Sequence, residues 1–240
     1  MSRGLGDVYK RQDLIRVEKP KKSEYREIEN KAIAEIVERL QAMARKAISD
    51  NYTISSNKVT HAMVDEAQDV LTSLIDAKDV DTFNETLLKL FTVIPRKMGN
   101  VKDYLAEKSD DFSRIIQKEQ DLLDVMKGQV VQKQMIDENS EKDDIQNENT
   151  ILEQLGLVFE ECSTKDIAVI KDALGSCSDR FYQAWRVRNI QTQKRYDDFV
   201  RENHITNTKL LFHGSRNENW WSIINSGLVL KPTNAVITGK

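Results

Sequence analysis

Apolar residues recur at threes and fours from residue 23 to about 131, the period of an amphipathic helix. Ile28, Ala32, Ile36, Leu40, Met43 and Ala47 form one such stripe, and a polar stretch from Ser49 to Lys58 interrupts it. Thr60 is placed to cap the next helix, with Val59 and Val64 flanking it as a hydrophobic staple. Met63, Ala67, Val70, Leu71 and Leu74 line that helix's inner face. Asp81 is read as the cap of a shorter helix bearing Phe83, Leu87, Leu90 and Phe91, which Pro95 cannot continue. Phe112, Ile115, Ile116, Leu122, Leu123 and Val125 mark a further long helix reaching past Gly128. Several amphipathic helices with few glycines predict a bundle.

Between Ile136 and Thr150 the pattern loses its apolar positions. Asp137, Glu138, Glu141, Asp143, Asp144 and Glu148 face a single Lys142, the composition of a solvated acidic linker, with 132–150 as its bounds. Strands and short helices then alternate: a strand within Leu155–Glu161, and a capping-box start at Ser163-Thr164-Lys165-Asp166. The helix it opens carries Ile167, Ile170 and Leu174 and is closed by Gly175. A strand over Phe181–Ile190 puts Trp185 and Val187 on one face, and a helix over Gln193–Glu202 follows. A strand at Leu210–Phe212, a helix at Asn219–Ser226 and a strand at Leu228–Leu230 complete the series. The expected fold class is an α-helical bundle domain followed by an α+β domain.

The chemistry concentrates at Leu211-Phe212-His213-Gly214-Ser215-Arg216, where an apolar strand delivers polar groups at its end. Gly214 has no Cβ, so its backbone can lie against a flat ligand. His213 offers a donor and an acceptor nitrogen, and the Ser215 hydroxyl serves as either. Such a set suits an amide and a ribose.

These residues, with Asn219-Trp220, Ile223-Ile224 and Gly227-Leu228, resemble the NAD-binding opening of the poly(ADP-ribose) polymerase (PARP) catalytic domain. The resemblance continues through Val229-Leu230-Lys231-Pro232 to Ala235-Val236-Ile237-Thr238-Gly239. Upstream, Leu90 to Gly99, with Pro95-Arg96-Lys97-Met98, and Ile36 to Met43 resemble the α-helical regulatory domain of the DNA-dependent members. Arg195-Tyr196-Asp197-Asp198-Phe199 is similar to the entry into the catalytic fold. The resemblance implies a split-sheet, ADP-ribosyltransferase-like domain at 151–240 and a regulatory helical domain at 23–131. It also implies an NAD+ ADP-ribosyltransferase that passes ADP-ribose to protein acceptors and releases nicotinamide. NAD is then the co-substrate and no metal is required. Regulation by DNA would act through a domain absent from this chain. The implied site is His213 as catalytic residue and ribose ligand, with Gly214, Ser215 and Asn219 holding the rest of NAD.

The family's stacking tyrosine and late glutamate have no counterpart before Lys240. The expectation is therefore of a fragment truncated at its C-terminus and inactive by itself. The family's small glycine on the helix after the motif is Ser222 here, and its arginine after the Gly-Leu pair is Val229. Lys231 is either a substitute cation or a solvated lysine. Residues 1–22 are set aside as a non-native or disordered segment, because Met1 to Gln12 resembles a translated adapter remnant. A second reading is a non-catalytic NAD-binding or helical protein-interaction module.

Composition narrows the class only at its edges. The 240 residues are 39% hydrophobic and 31% charged, within the globular range. A net charge of −3 argues against a dedicated nucleic-acid binder. No apolar run approaches the roughly 18 residues of a membrane span. Cys162 and Cys177 lack metal-ligand spacing and read as reduced residues of an intracellular protein, nuclear in a eukaryote or cytoplasmic in a bacterium. Trp220 and Trp221 at adjacent helical positions predict one core residue and one edge residue.

Overall fold

The computed structural model describes residues 25–140 and 149–228. Four long helices come first: α1 (Lys31–Asn51), α2 (His61–Ser73), α3 (Val80–Val93) and α4 (Phe112–Ser140). A short α5 (Ile151–Gln154) leads into β1 (Leu157–Glu161), then α6 (Thr164–Leu174), β2 (Trp185–Asn189), α7 (Ile190–Glu202) and α8 (Trp220–Ser226).

Local signals set most helix starts. Asn30 caps α1 through Ala32 and Ile33, Thr60 caps α2 through Met63, and Val59 and Val64 are both buried beside it as the staple requires. Ser163 and Asp166 close the expected capping box on α6, and Gly175 ends it at φ 54°. The cap of α3 is Asp79, not Asp81; its carboxylate accepts from the Thr82 amide and hydroxyl. Val80 packs partly against the core, so the apolar face begins three residues before Phe83. α7 ends in a Schellman turn, Ile205 N–H to Val200 and His204 N–H to Arg201, with His204 at φ 51°.

The stripe expected on α1 is also displaced. Ile33, Val37, Ala44 and Ile48 are its buried residues, while Ile36, Leu40 and Ala47 are only partly covered. Two surfaces share the helix: one faces the bundle, and the Ile36–Leu40–Met43 side borders a cleft against Tyr182, Gln183 and Trp185. α4 is the central helix, contacting α1, α2 and α8. It runs on to Ser140, so the first part of the acidic stretch continues a helix; residues 141–148 lie outside the described residues.

β1 and β2 pair antiparallel, Leu157 opposite Asn189 through Glu161 opposite Trp185. Among the described residues this is the one sheet. Leu152, Leu155, Leu157 and Phe159 join the same apolar cluster as the bundle, and Trp221 of α8 is wholly buried in it. Arg26 reinforces that junction by donating to both carboxylate oxygens of Glu153, and Asn30 by donating to Glu161.

The strand expected at Leu210–Phe212 does not form. The segment belongs to no helix or strand and has no strand partner among the described residues, with Leu210 fully exposed and Leu211 and Phe212 at 86% and 75%. A strand persists only where its N–H and C=O groups find partners, and among the described residues no backbone hydrogen bond joins this segment to β1 or β2. Of the strand expected at Leu228–Leu230, the last two residues lie outside the described residues, as do Lys231 and Ala235 to Gly239.

The bundle encloses one charged cluster that no apolar pattern announced. Arg96, within the stretch resembling the helical domain, and Glu119 of α4 have side chains only 2% and 4% exposed. Arg96 Nη2 donates to Glu119 Oε1 at 3.3 Å and Nη1 to the Asn51 carbonyl at 2.9 Å, while Nε nears Oε2 at 3.2 Å without hydrogen-bond geometry. The guanidinium lies 4.9 Å from the Tyr52 ring centroid. Burial raises the Glu119 carboxyl above its ordinary range despite the opposing arginine, and pushes the Tyr52 phenol up.

Candidate functional site

His213, Gly214, Ser215 and Asn219 line a single cleft of about 230 Å³. The segment before it belongs to no helix or strand, and a tight turn at Asn217–Asn219 hands the chain to α8. Asn219 is buried and donates from Nδ2 to Ser215 Oγ at 3.3 Å; its Oδ1 is buried without a protein partner. That carbonyl is an acceptor without a donor, and buried acceptors are rarely left so. His213 is exposed and meets Trp220 edge-on, ring centroids 6.0 Å apart. Trp220 is thus the edge residue of the pair and Trp221 the core one, its indole N–H donating to Gln132 Oε1 at 2.7 Å. Gly214 has open space where a Cβ would stand, so no protein group fills the place a flat ligand would use.

The opposite wall is α4. Gln117, Asp121, Asp124 and Lys127 border the same cleft, spaced so that they share one helical face. Gln117 donates to Asp121 and Gln120 to Asp124, both at 2.8 Å, which holds the carboxylates in place. Arg216 Nε lies 3.7 Å from Asp121 Oδ2, tying the end of the motif to this helix. The α4 residues carried no signal in sequence, because a polar helical face ordinarily meets only solvent.

α8 sits on α4 at very short range. An added Cβ at Gly128 would lie 2.3 Å from Ser222 Oγ and 2.7 Å from Ser222 Cα. The Ser222 hydroxyl donates to the Asp124 carbonyl at 2.7 Å. The serine at this position is therefore accommodated by a glycine on the facing helix. Ser222, Ile223, Ser226, Gly227 and Leu228 supply the α8 side of the cleft.

Sequence comparison identifies the segment that carries these groups. Residues 164–240 match the profile of the poly(ADP-ribose) polymerase catalytic domain. The helical region α1–α4 precedes the PARP segment. A relative, "Uncharacterized protein 101L" of Invertebrate iridescent virus 6, is 35% identical over 128 residues, covering 52% of this chain and 53% of its own length. The chain therefore spans about half the length of that curated relative.

Among the described residues no cluster of three or more His, Cys, Asp or Glu is placed to hold a metal ion, and no helix is long and apolar enough to cross a membrane. Cys162 is half-buried and Cys177 exposed, both free.

Proposed function

We propose that the chain contributes the NAD-gripping part of an ADP-ribosyltransferase, with residues 23–131 as a helical regulatory domain, 132–150 as a connection and 151–240 as the start of the catalytic domain. One observation carries the proposal: the residues matching the PARP profile include His213, Gly214, Ser215 and Asn219, and these line one cleft. In this reading His213 holds a ribose hydroxyl of NAD and the Gly214 backbone pairs with the carboxamide. Ser215 and Asn219, whose Oδ1 has no protein partner, take the second ribose.

The reaction is displacement of nicotinamide from the ribose by an acceptor side chain on a protein. Its oxocarbenium-like state needs nicotinamide held firmly while charge develops on the sugar. Asp121 and Asp124 face the cleft from α4, close to where an anionic dinucleotide would enter. Arg216 lies 3.7 Å from Asp121 and Lys127 lines the same cleft, so it is the placement of α4 against the motif, more than its charge, that supports the bundle as a screen over the site. DNA-linked control through a further domain belongs to the same proposal.

Titrating the purified chain with NAD, followed by ligand-observed NMR, tests the grip. Saturation transfer to the nicotinamide and ribose protons is expected, and is lost in His213→Ala and Gly214→Val. Transfer that is equal in wild type and both variants would remove the basis of the assignment. Incubation with labelled NAD tests the rest: release of nicotinamide above the His213→Ala background would show that no further catalytic residues are needed.

A further inference from the structure

We propose that Asn189, which lies outside the NAD-gripping motif, is a positioning residue for the candidate site, because its amide fixes the C-terminal end of α8. The inference rests on the NAD reading of the cleft and adds a residue that acts through another element.

α8 has seven residues, too few to hold itself by its own ladder. Helices end with carbonyls that need outside donors. Asn189 Nδ2 supplies them, donating to the Asn225 carbonyl at 2.8 Å and the Ile224 carbonyl at 3.2 Å. The same side chain caps the next helix: Oδ1 accepts from the Gln191 and Thr192 amides at 3.0 and 3.1 Å. One buried side chain, 8% exposed, thus joins the start of α7 to the end of α8.

Asn189 is itself held from behind. It pairs with Leu157 as the last residue of β2, and the next amide, Ile190 N–H, donates to the Gly156 carbonyl at 2.9 Å. Its bonds therefore transmit the position of the sheet to α8. Gly227 turns the chain at φ 82° just beyond, with room for a Cβ only at 3.4 Å from Thr192 Cγ2. Ser222, Ile223, Ser226 and Gly227, which line the cleft, all lie within this braced segment. Asparagine is the residue that meets both demands. Serine and aspartate cap a helix start as well, but neither offers an amide donor to two carbonyls.

The test uses the whole chain carrying Asn189→Ser and, separately, Asn189→Asp, both of which keep the α7 cap. Amide hydrogen exchange at Ser226 and Gly227 should accelerate in both variants, and NAD affinity, read from Gly214 and Gly227 amide shifts with NAD to millimolar concentration, should weaken by roughly tenfold. Phe83→Leu in the bundle core serves as a control, lowering the melting temperature while leaving NAD affinity as in wild type. Unchanged exchange at Gly227, or unchanged affinity in Asn189→Ser when His213→Ala abolishes binding, overturns the positioning role and leaves the NAD site standing. No NAD binding by wild type, or binding indifferent to His213→Ala, overturns the site reading and this inference with it.

Discussion

Replacing Gly128 with alanine tests how closely α8 is seated on α4, and the structure sets two opposing magnitudes. Alanine favours a helix interior over glycine by about 1 kcal/mol. Against that, the new methyl would stand 2.4 Å from Ser222 Cβ and 2.7 Å from Ser222 Cα, distances that Cβ atoms do not tolerate. Overpacking of this kind costs about 1–3 kcal/mol. The upper end applies, because a Cα cannot rotate out of the way as the hydroxyl can. The net expectation is a loss of about 2 kcal/mol, with about 3 kcal/mol taken from α8 docking and about 1 kcal/mol returned by the better helix former in α4. Amide exchange in α8, which reports docking alone, should then quicken on the order of 100-fold, with far-ultraviolet helicity of the bundle unchanged. Combining Gly128→Ala with Ser222→Gly removes the Oγ and Cβ contacts but leaves the one to Cα, so recovery should be partial. A higher melting temperature with unaltered α8 exchange would refute the close crossing.

Further outcomes follow from the same coordinates. Glu119→Ala should destabilise the bundle by about 3–5 kcal/mol in urea unfolding, because Arg96 stays buried without its partner, whereas Arg96→Met with Glu119→Leu should be neutral or stabilising. His204→Gly should raise the melting temperature, since the Schellman turn holds a Cβ-bearing residue at φ 51°. Bonds from the Ser163 hydroxyl and amide, with Arg186 adding to them, hold the Asp166 carboxyl below its ordinary value of 3.8. The lowered value means a stability contribution present above pH 3.8 and lost as pH falls through the folded-state value. The melting gap between wild type and Asp166→Ala should therefore narrow on acidification below pH 3.8. A fragment of residues 23–131 should show helical minima and a cooperative melt, at a lower temperature than the whole chain because Leu152, Leu155 and Trp221 no longer cover the core.

Much was legible in the sequence where the governing physics is local. The caps at Thr60 and Ser163, the Gly175 terminator and the helical stripes of α2 and α4 each depend on residues within one turn of one another. The segment from His213 to Asn219 was legible as part of a family resemblance, because it lies within the residues that match the PARP profile. What required the tertiary structure is every property set by a distant neighbour. Leu210 to Phe212 has the apolar run of a strand, yet a strand exists only beside another, and none of the described residues provides one. α1 buries Ile33, Val37, Ala44 and Ile48 because the bundle and the C-terminal segment divide its circumference, which no period reveals. Asp121 and Asp124 look like a solvated face until α4 is set against His213. Asn189 falls within the strand expected over Phe181–Ile190, and its bonds to α8 arise only because the end of that helix, 35 and 36 residues along the chain, comes to rest against its amide. Short-range hydrogen bonds and periodicity are encoded by adjacency in the chain; the partners that turn a polar residue into part of a site are chosen by packing.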